Sequence, residues 1–266
     1  MNGLVVFGSY VPVKSPIHHL DARAKLTLCI LYVISVFFAN KLWSALFVTT
    51  VLLATIFLSR VPLKMYWKGL RPFFLIILLT VVLQILFSSG GYLYWHYGWL
   101  QITSDGLKSG LLILYRFTVI IMASTVLTAT TPTLQLANAF SWLIYPLKWL
   151  HVPVDKLSLM LSLALRFVPT IMNDVQAITN AQKSRGINFH QGGPITRLKN
   201  LLPIVIPLFV NSVQHSEDLA LAMESRGYSL DESRTQYVQL KWGRRDTLAI
   251  ILMGLVAVGI AILNYL

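Results

Sequence analysis

The chain has 266 residues, of which 56% are hydrophobic and only 12% charged, with a mean hydropathy of +0.66 and a net charge of +12. Soluble domains carry about a quarter charged residues, so this is the composition of an integral membrane protein. The positive charge does not mark a nucleic-acid binder, because the Lys and Arg residues flank apolar runs as topology determinants do.

Residues 1–25 are polar and basic and lack the apolar core and small-residue cleavage site of a signal peptide, so this end is expected to be retained. His18 and His19 lie here; as neighbours on a polar segment they read as solvated or hydrogen-bonded rather than as metal ligands. Leu26–Ala39 is a first apolar segment, short for a span unless Ala22 and Ala24 extend it, and it holds the single cysteine, Cys29, which can form no intrachain disulfide. Asn40-Lys41 makes a turn and Leu42–Ser59 a second span. A loop with Arg60, Lys64, Lys68 and Arg71 leads to a third, Leu70–Ser88, with Pro72 near its start. The stretch from Ser88 to Gly106 carries Tyr92, Tyr94, Trp95, Tyr97 and Trp99, aromatic types that favour the membrane interface. Leu107–Ala129 is a fourth span, with Arg116 roughly ten residues in.

Region 130–245 is predicted to hold helices of its own. Thr131-Pro132 reads as a helix start, with a capping hydroxyl followed by Pro at the first helical position. Pro146 and Pro153 punctuate an interfacial piece. Leu157–Arg185 reads as an amphipathic rod of about 43 Å, kinked by Pro169. Ile187–Asn200 reads as a turn, and Pro203 and Pro207 as the opening of a second rod ending at Gly227. A charged stretch, Asp231–Arg245, returns the chain to a last span, Thr247–Leu263. Five spans are the simplest count. Three Lys/Arg residues lie before the first span, four between the second and third, and twelve in 130–245. The positive-inside rule places all three regions in the cytoplasm and the carboxy terminus outside.

One phrase ends both rods: Ser184-Arg185-Gly186 and, forty-one positions later, Ser225-Arg226-Gly227. In the first rod Ile171, Met172, Val175 and Ile178 form a stripe that Gln182 and Arg185 continue; in the second, Phe209, Val213, Ser216, Ala220 and Met223 do. The small Ser216 and Ala220 are expected to let the second rod cross the Ile171–Val175–Ile178 face of the first. Arg116 lies near mid-span, and Arg166 precedes the Pro169 kink; both are candidates for structural intramembrane or interfacial roles.

No phosphate-binding loop, His-Glu-x-x-His or Gly-x-Ser-x-Gly motif occurs, and the spans lack Asp and Glu apart from the edge residues Asp21, Asp105 and Asp246. The chain thus reads as having no catalytic group, metal site or coupling-ion site of its own. A lipid-modifying intramembrane enzyme using His18, His19 or Asp21, and an anion channel lined by Arg116, are the rival classes.

Read together, these segments resemble the transmembrane T component of energy-coupling factor (ECF) transporters. Ser15-Pro16-Ile17-His18-His19-Leu20-Asp21-Ala22-Arg23-Ala24-Lys25 is similar to the family's Ser-x-x-His-x-Leu-Asp-Pro-Arg-x-Lys, with Ala22 in place of Pro. Thr130-Thr131-Pro132 and Leu165-Arg166-Phe167-Val168-Pro169 resemble its lead into the coupling helices. The two Ser-Arg-Gly tips are similar to its paired Ala-Arg-Gly signatures. The resemblance implies an all-α membrane protein in four parts: a cytoplasmic segment (1–25), a four-span bundle (26–129), a cytoplasmic coupling-helix module (130–245) and a last span (246–266). It further implies that the two tips dock on two ATP-binding-cassette ATPases, which bind ATP and Mg while this chain binds no cofactor. A small, separate membrane S component would bind the vitamin. A dedicated biotin- or metal-type T component is the alternative within the family.

Overall fold

The computed structural model describes residues 10–88, 90–97, 100–150, 153–189, 191, 193–229 and 242–265. Among them are eight α-helices and one short hairpin. Helix α1 (Ala22–Phe38) starts at a cap, where the Asp21 carboxylate accepts the Arg23 N–H at 2.9 Å. Ala22 and Ala24 lie inside it and bring it to 17 residues, about 26 Å. Helix α2 (Leu42–Ser59) opens with Ser44 closing the turn on Lys41 and ends at Arg60, whose φ of 55° is left-handed.

Helix α3 (Leu63–Phe87) begins seven residues before the expected Leu70. Pro62 supplies a pre-set φ at the helix start and nothing after it breaks the helix, so Lys64, Lys68 and Arg71 ride on its first turns instead of lying in a loop. The aromatic stretch that follows forms an antiparallel hairpin that the sequence pattern did not predict. Strands β1 (Leu93–Tyr97) and β2 (Leu100–Thr103) pair with an irregularity between Leu93 and Trp95. Tyr92 and Tyr94 are exposed, whereas the connection, including Trp99, lies outside the described residues. Thr103 then caps helix α4 (Ser104–Thr130) through the Gly106 N–H and donates its hydroxyl to the Ser88 carbonyl.

Helices α3 and α4 lie antiparallel at close range. A Cβ placed on Gly110 would sit 2.8 Å from Ile85, and one on Gly69 would sit 2.6 Å from the Thr125 hydroxyl. Helix α5 (Thr133–Ile144) has Pro132, not Thr131, at its cap, and the Thr131 hydroxyl is buried without a partner among the described residues. The expected capping bond is absent because Thr131 is the extended residue that ends α4. A 3-10 turn, Tyr145–Leu150, follows. Helices α6 (Val154–Ser184) and α7 (Pro194–Glu224) come next, and α8 (Arg244–Tyr265) closes the chain.

Helices α2, α3, α4 and α8 are long and apolar enough to cross a membrane, and the shorter α1 is built into the same core. That core joins Val36 of α1, Val48 of α2, Val119 and Ala123 of α4, and Val256 and Ile260 of α8. The described chain divides into two compact units, one running to Val154 and resuming at 242, the other spanning 155–229. Residues 130–154, grouped with the coupling helices by sequence, pack with the bundle instead: α5 lies along α1, with the Arg23 guanidinium 5.7 Å from the Trp142 ring. Most of the returning stretch, 230–241, lies outside the described residues.

Candidate functional site

The repeated phrase builds the same object twice. Gly186 has φ +87° and Gly227 φ +73°. In the first tip Gly186 N–H donates to Lys183 O at 3.0 Å and Ile187 N–H to Gln182 O at 3.1 Å. In the second, Gly227 N–H donates to Glu224 O and Tyr228 N–H to Met223 O, both at 2.9 Å. This pair of crossed bonds around a left-handed residue is the Schellman motif, which satisfies carbonyls that a helix end otherwise leaves open. Among the described residues, no heavy atom beyond the adjoining residues lies within 4 Å of where a Cβ would stand on either glycine, so backbone conformation, not crowding, selects Gly. Ser184 and Ser225 return their hydroxyls to the helix, to Asn180 O at 3.1 Å and Ala222 O at 3.0 Å. That leaves the side chains of Arg185 and Arg226, each directly before its glycine, exposed and without an ion-pair or hydrogen-bond partner among the described residues.

Helix α7 starts nine residues earlier than Pro203 because Gly193-Pro194 already supplies an extended cap and a first-turn proline. Pro203 and Pro207 are therefore inside the helix. Lacking an N–H, Pro207 leaves the Pro203 carbonyl without its i+4 donor. The Gln182 side-chain amide fills that vacancy at 3.3 Å, tying the end of α6 to α7. Farther along, His215 Nε2 lies 3.2 Å from the Asp174 carboxylate, and its ring stacks on Phe167 with centroids 6.5 Å apart. The helices run antiparallel, and about 35 Å of α7 separates Pro203 from Arg226. The two arginines therefore stand at opposite ends of the pair.

The predicted stripes are placed differently on the two rods. Ile171, Val175 and Ile178 are half-buried, Met172 is exposed, and Met223 is half-buried; Phe209, Val213, Ser216 and Ala220 are exposed. The half-buried face of α7 runs instead through Pro203, Pro207, Ser212, His215 and Leu219, about a third of a turn away. No apolar spacing signals this face, since prolines and a histidine define it.

Arg116 reaches the end of α1: its Nη2 donates to Phe37 O at 3.1 Å and Asn40 Oδ1 at 2.7 Å, while the guanidinium lies 5.8 Å from the Phe37 ring. Its Nε is buried without a partner among the described residues. Arg166 is exposed one turn before Pro169. The residues named for a lipid-modifying centre do not converge. His18 is held by the Ser15 hydroxyl at 2.7 Å and Val11 O at 2.9 Å, His19 is exposed, and Asp21 caps α1. Burial, ahead of the nearby charges, holds the His18 pKa below its ordinary 6.5. No described group of His, Cys, Asp or Glu is arranged to hold a metal ion.

The family described as "CbiQ: Cobalt transport protein" matches residues 13–237. The chain is 51% identical to the energy-coupling factor transporter transmembrane protein EcfT of Limosilactobacillus fermentum over 258 residues, 97% of each chain. It is 45% identical to that of Streptococcus equi over 94% of this chain and 93% of the other, and 38% identical to that of Staphylococcus aureus over 100% and 99%. Similarity of this extent, running through both arginine tips and the amino-terminal motif, shows that the chain belongs to the transmembrane T components of energy-coupling factor transporters.

Proposed function

We propose that this chain is the non-catalytic membrane scaffold through which two cytoplasmic ATPase subunits drive uptake of a vitamin or similar micronutrient carried by a separate S component. The observation that carries this reading is the identical fold of the two tips, each presenting an unpaired arginine before a left-handed glycine. Two equal plugs at opposite ends of a helix pair suit two similar sockets. Each guanidinium can meet a carboxylate of an ATPase through two parallel hydrogen bonds. ATP and Mg belong to the ATPases, and this chain holds neither. In this reading the amino terminus, the start of α3 and the α6–α7 pair face the cytoplasm, and the carboxy terminus lies outside.

Affinity purification of the chain in mild detergent tests the assembly. Two ATPases with more than one small membrane protein are expected. One ATPase species with one fixed membrane partner would instead indicate a dedicated module, the alternative that the family's cobalt-transport description favours; absence of ATPases would overturn the reading. Arg185→Ala or Arg226→Ala is expected to weaken one docking contact by about 2 kcal/mol, and the double variant to abolish uptake while still inserting. Normal uptake by the double variant at normal expression refutes the assignment.

A further inference from the structure

Three alternating charged residues at the start of α1 reach three different elements. The Asp21 N–H donates to the Asp246 carboxylate in the first turn of α8 at 2.8 Å. Arg23 lies over Trp142 of α5, whose ring is 6.4 Å from Trp242, and Trp242 in turn donates to Thr247 of α8 at 2.9 Å. The Lys25 ammonium donates to Thr130 O at 3.0 Å and to His18 O at 3.2 Å, although its side chain is buried. Beside it the Val11 N–H takes the Ala129 carbonyl at 2.9 Å. The last carbonyls of α4, which no helix can satisfy internally, are therefore capped from around the start of α1: Ala129 O by Val11 ahead of the helix and Thr130 O by Lys25 in its first turn. The chain leaves this unit only after α5 and re-enters it just before α8. Residues 21–25 hold both crossings.

We propose that Lys25 is a positioning residue for transport: by gripping the Thr130 and His18 carbonyls together, it makes the α4–α5 corner and the base of α1 move as one body. This rests on the ATP-driven reading above. A partner-driven displacement that reached α5 would pass to α1, α4 and α8 through this knot; without the ammonium it would be absorbed at the corner. The lysine stem already lines an apolar crevice of about 460 Å³ between α1, α2, α4 and α8, so methionine fits there and removes little besides the charge.

The test uses the complex with its ATPases, in a Cys29→Ala background carrying spin labels at His19→Cys and Gln135→Cys, both exposed positions. In the complex with Lys25 intact, the distance between labels is expected to stay narrowly distributed with and without Mg-ATP. Lys25→Met is expected to broaden it at least twofold and to make it respond to Mg-ATP, and Lys25→Arg to restore it. Uptake is read with whichever of radiolabelled riboflavin, folate or biotin the wild-type chain supports; Lys25→Met is expected to lose at least tenfold while ATP hydrolysis continues. A narrow distribution with wild-type uptake in Lys25→Met overturns the proposal. If that variant does not assemble, Lys25→Gln carries the test, because its shorter neutral amide cannot reach the Thr130 and His18 carbonyls together; normal behaviour there overturns the proposal equally. A wild-type complex that hydrolyses no ATP would fail the underlying function instead, which separates the two.

Discussion

Replacing Gly186 or Gly227 by alanine isolates the geometry of the tips from their charge. Both glycines sit at positive φ, +87° and +73°, and a new methyl group would meet nothing within 4 Å. The whole penalty is then the cost of a left-handed L-residue, about 1–2 kcal/mol. The helix can escape that strain only by giving up the two crossed bonds that close each tip. Either way the population of the docking-ready tip falls by about 5- to 30-fold. If ATPase binding selects that conformation, the apparent Kd rises by the same factor.

The assay is equilibrium binding of the purified ATPases to the detergent-solubilised chain, one variant at a time. Gly193→Ala is the control, because Gly193 has φ −71° and equally open surroundings, and it should leave binding unchanged. Far-UV circular dichroism should be superimposable for all three variants, since only the last turn of one helix is disturbed. Wild-type affinity in both tip variants would refute the reasoning, as would an equal loss in Gly193→Ala.

Other consequences can be checked on the chain itself. Arg116→Leu removes two charge-assisted bonds to the end of α1, offset in part by relieving the unpartnered Nε; a loss of about 2 kcal/mol in thermal stability is expected, with no change in which substrate is taken up. A substrate-selective defect at normal yield would show that Arg116 lines the transport path. His18 has a depressed pKa, so its contribution to stability is present above 6.5 and lost as pH falls through the lower folded value; His18→Gln should flatten melting temperature between pH 7 and pH 5, and an unchanged slope counts against the depressed pKa. Ala220 is exposed, so Ala220→Leu should alter the stability of the isolated chain by less than about 0.5 kcal/mol; an effect that emerges only in the assembled complex would mark this stripe as a partner surface, and a larger effect in the chain alone would restore the expected crossing.

The apolar runs, the glycine helix stops and the repeated phrase were legible because each is a local signal. Length and hydropathy mark α2, α4 and α8 within a few residues at either end. Positive-φ glycines mark where α6 and α7 stop. Pro203 and Pro207 misled the reading of α7, because proline read alone signals a start, while in place it frees a carbonyl for a neighbour. Only knowing that Gln182 lies opposite turns that defect into a contact. The hairpin at 93–103 was hidden for a related reason: interfacial aromatics and strand residues are the same amino acids.

Two cations of the bundle, the buried Lys25 and the partly buried Arg116, illustrate why a membrane protein keeps charges it does not use for chemistry. Helices α1 and α4 are antiparallel, and each supplies the cation that the other's end requires. Lys25, in the first turn of α1, takes the last carbonyl of α4; Arg116, within α4, takes the Phe37 carbonyl at the end of α1. Asn264 of α8 takes the adjacent Phe38 carbonyl. In water these carbonyls would be solvated at no loss, but in hydrocarbon an open carbonyl costs several kcal/mol. A helix of only 17 residues cannot push both ends beyond the apolar layer. Its ends are therefore finished by side chains from neighbours, and each such bond fixes register as well as stability. Removing either cation should thus let α1 slide along α4, whereas removing an apolar contact between them should merely loosen it.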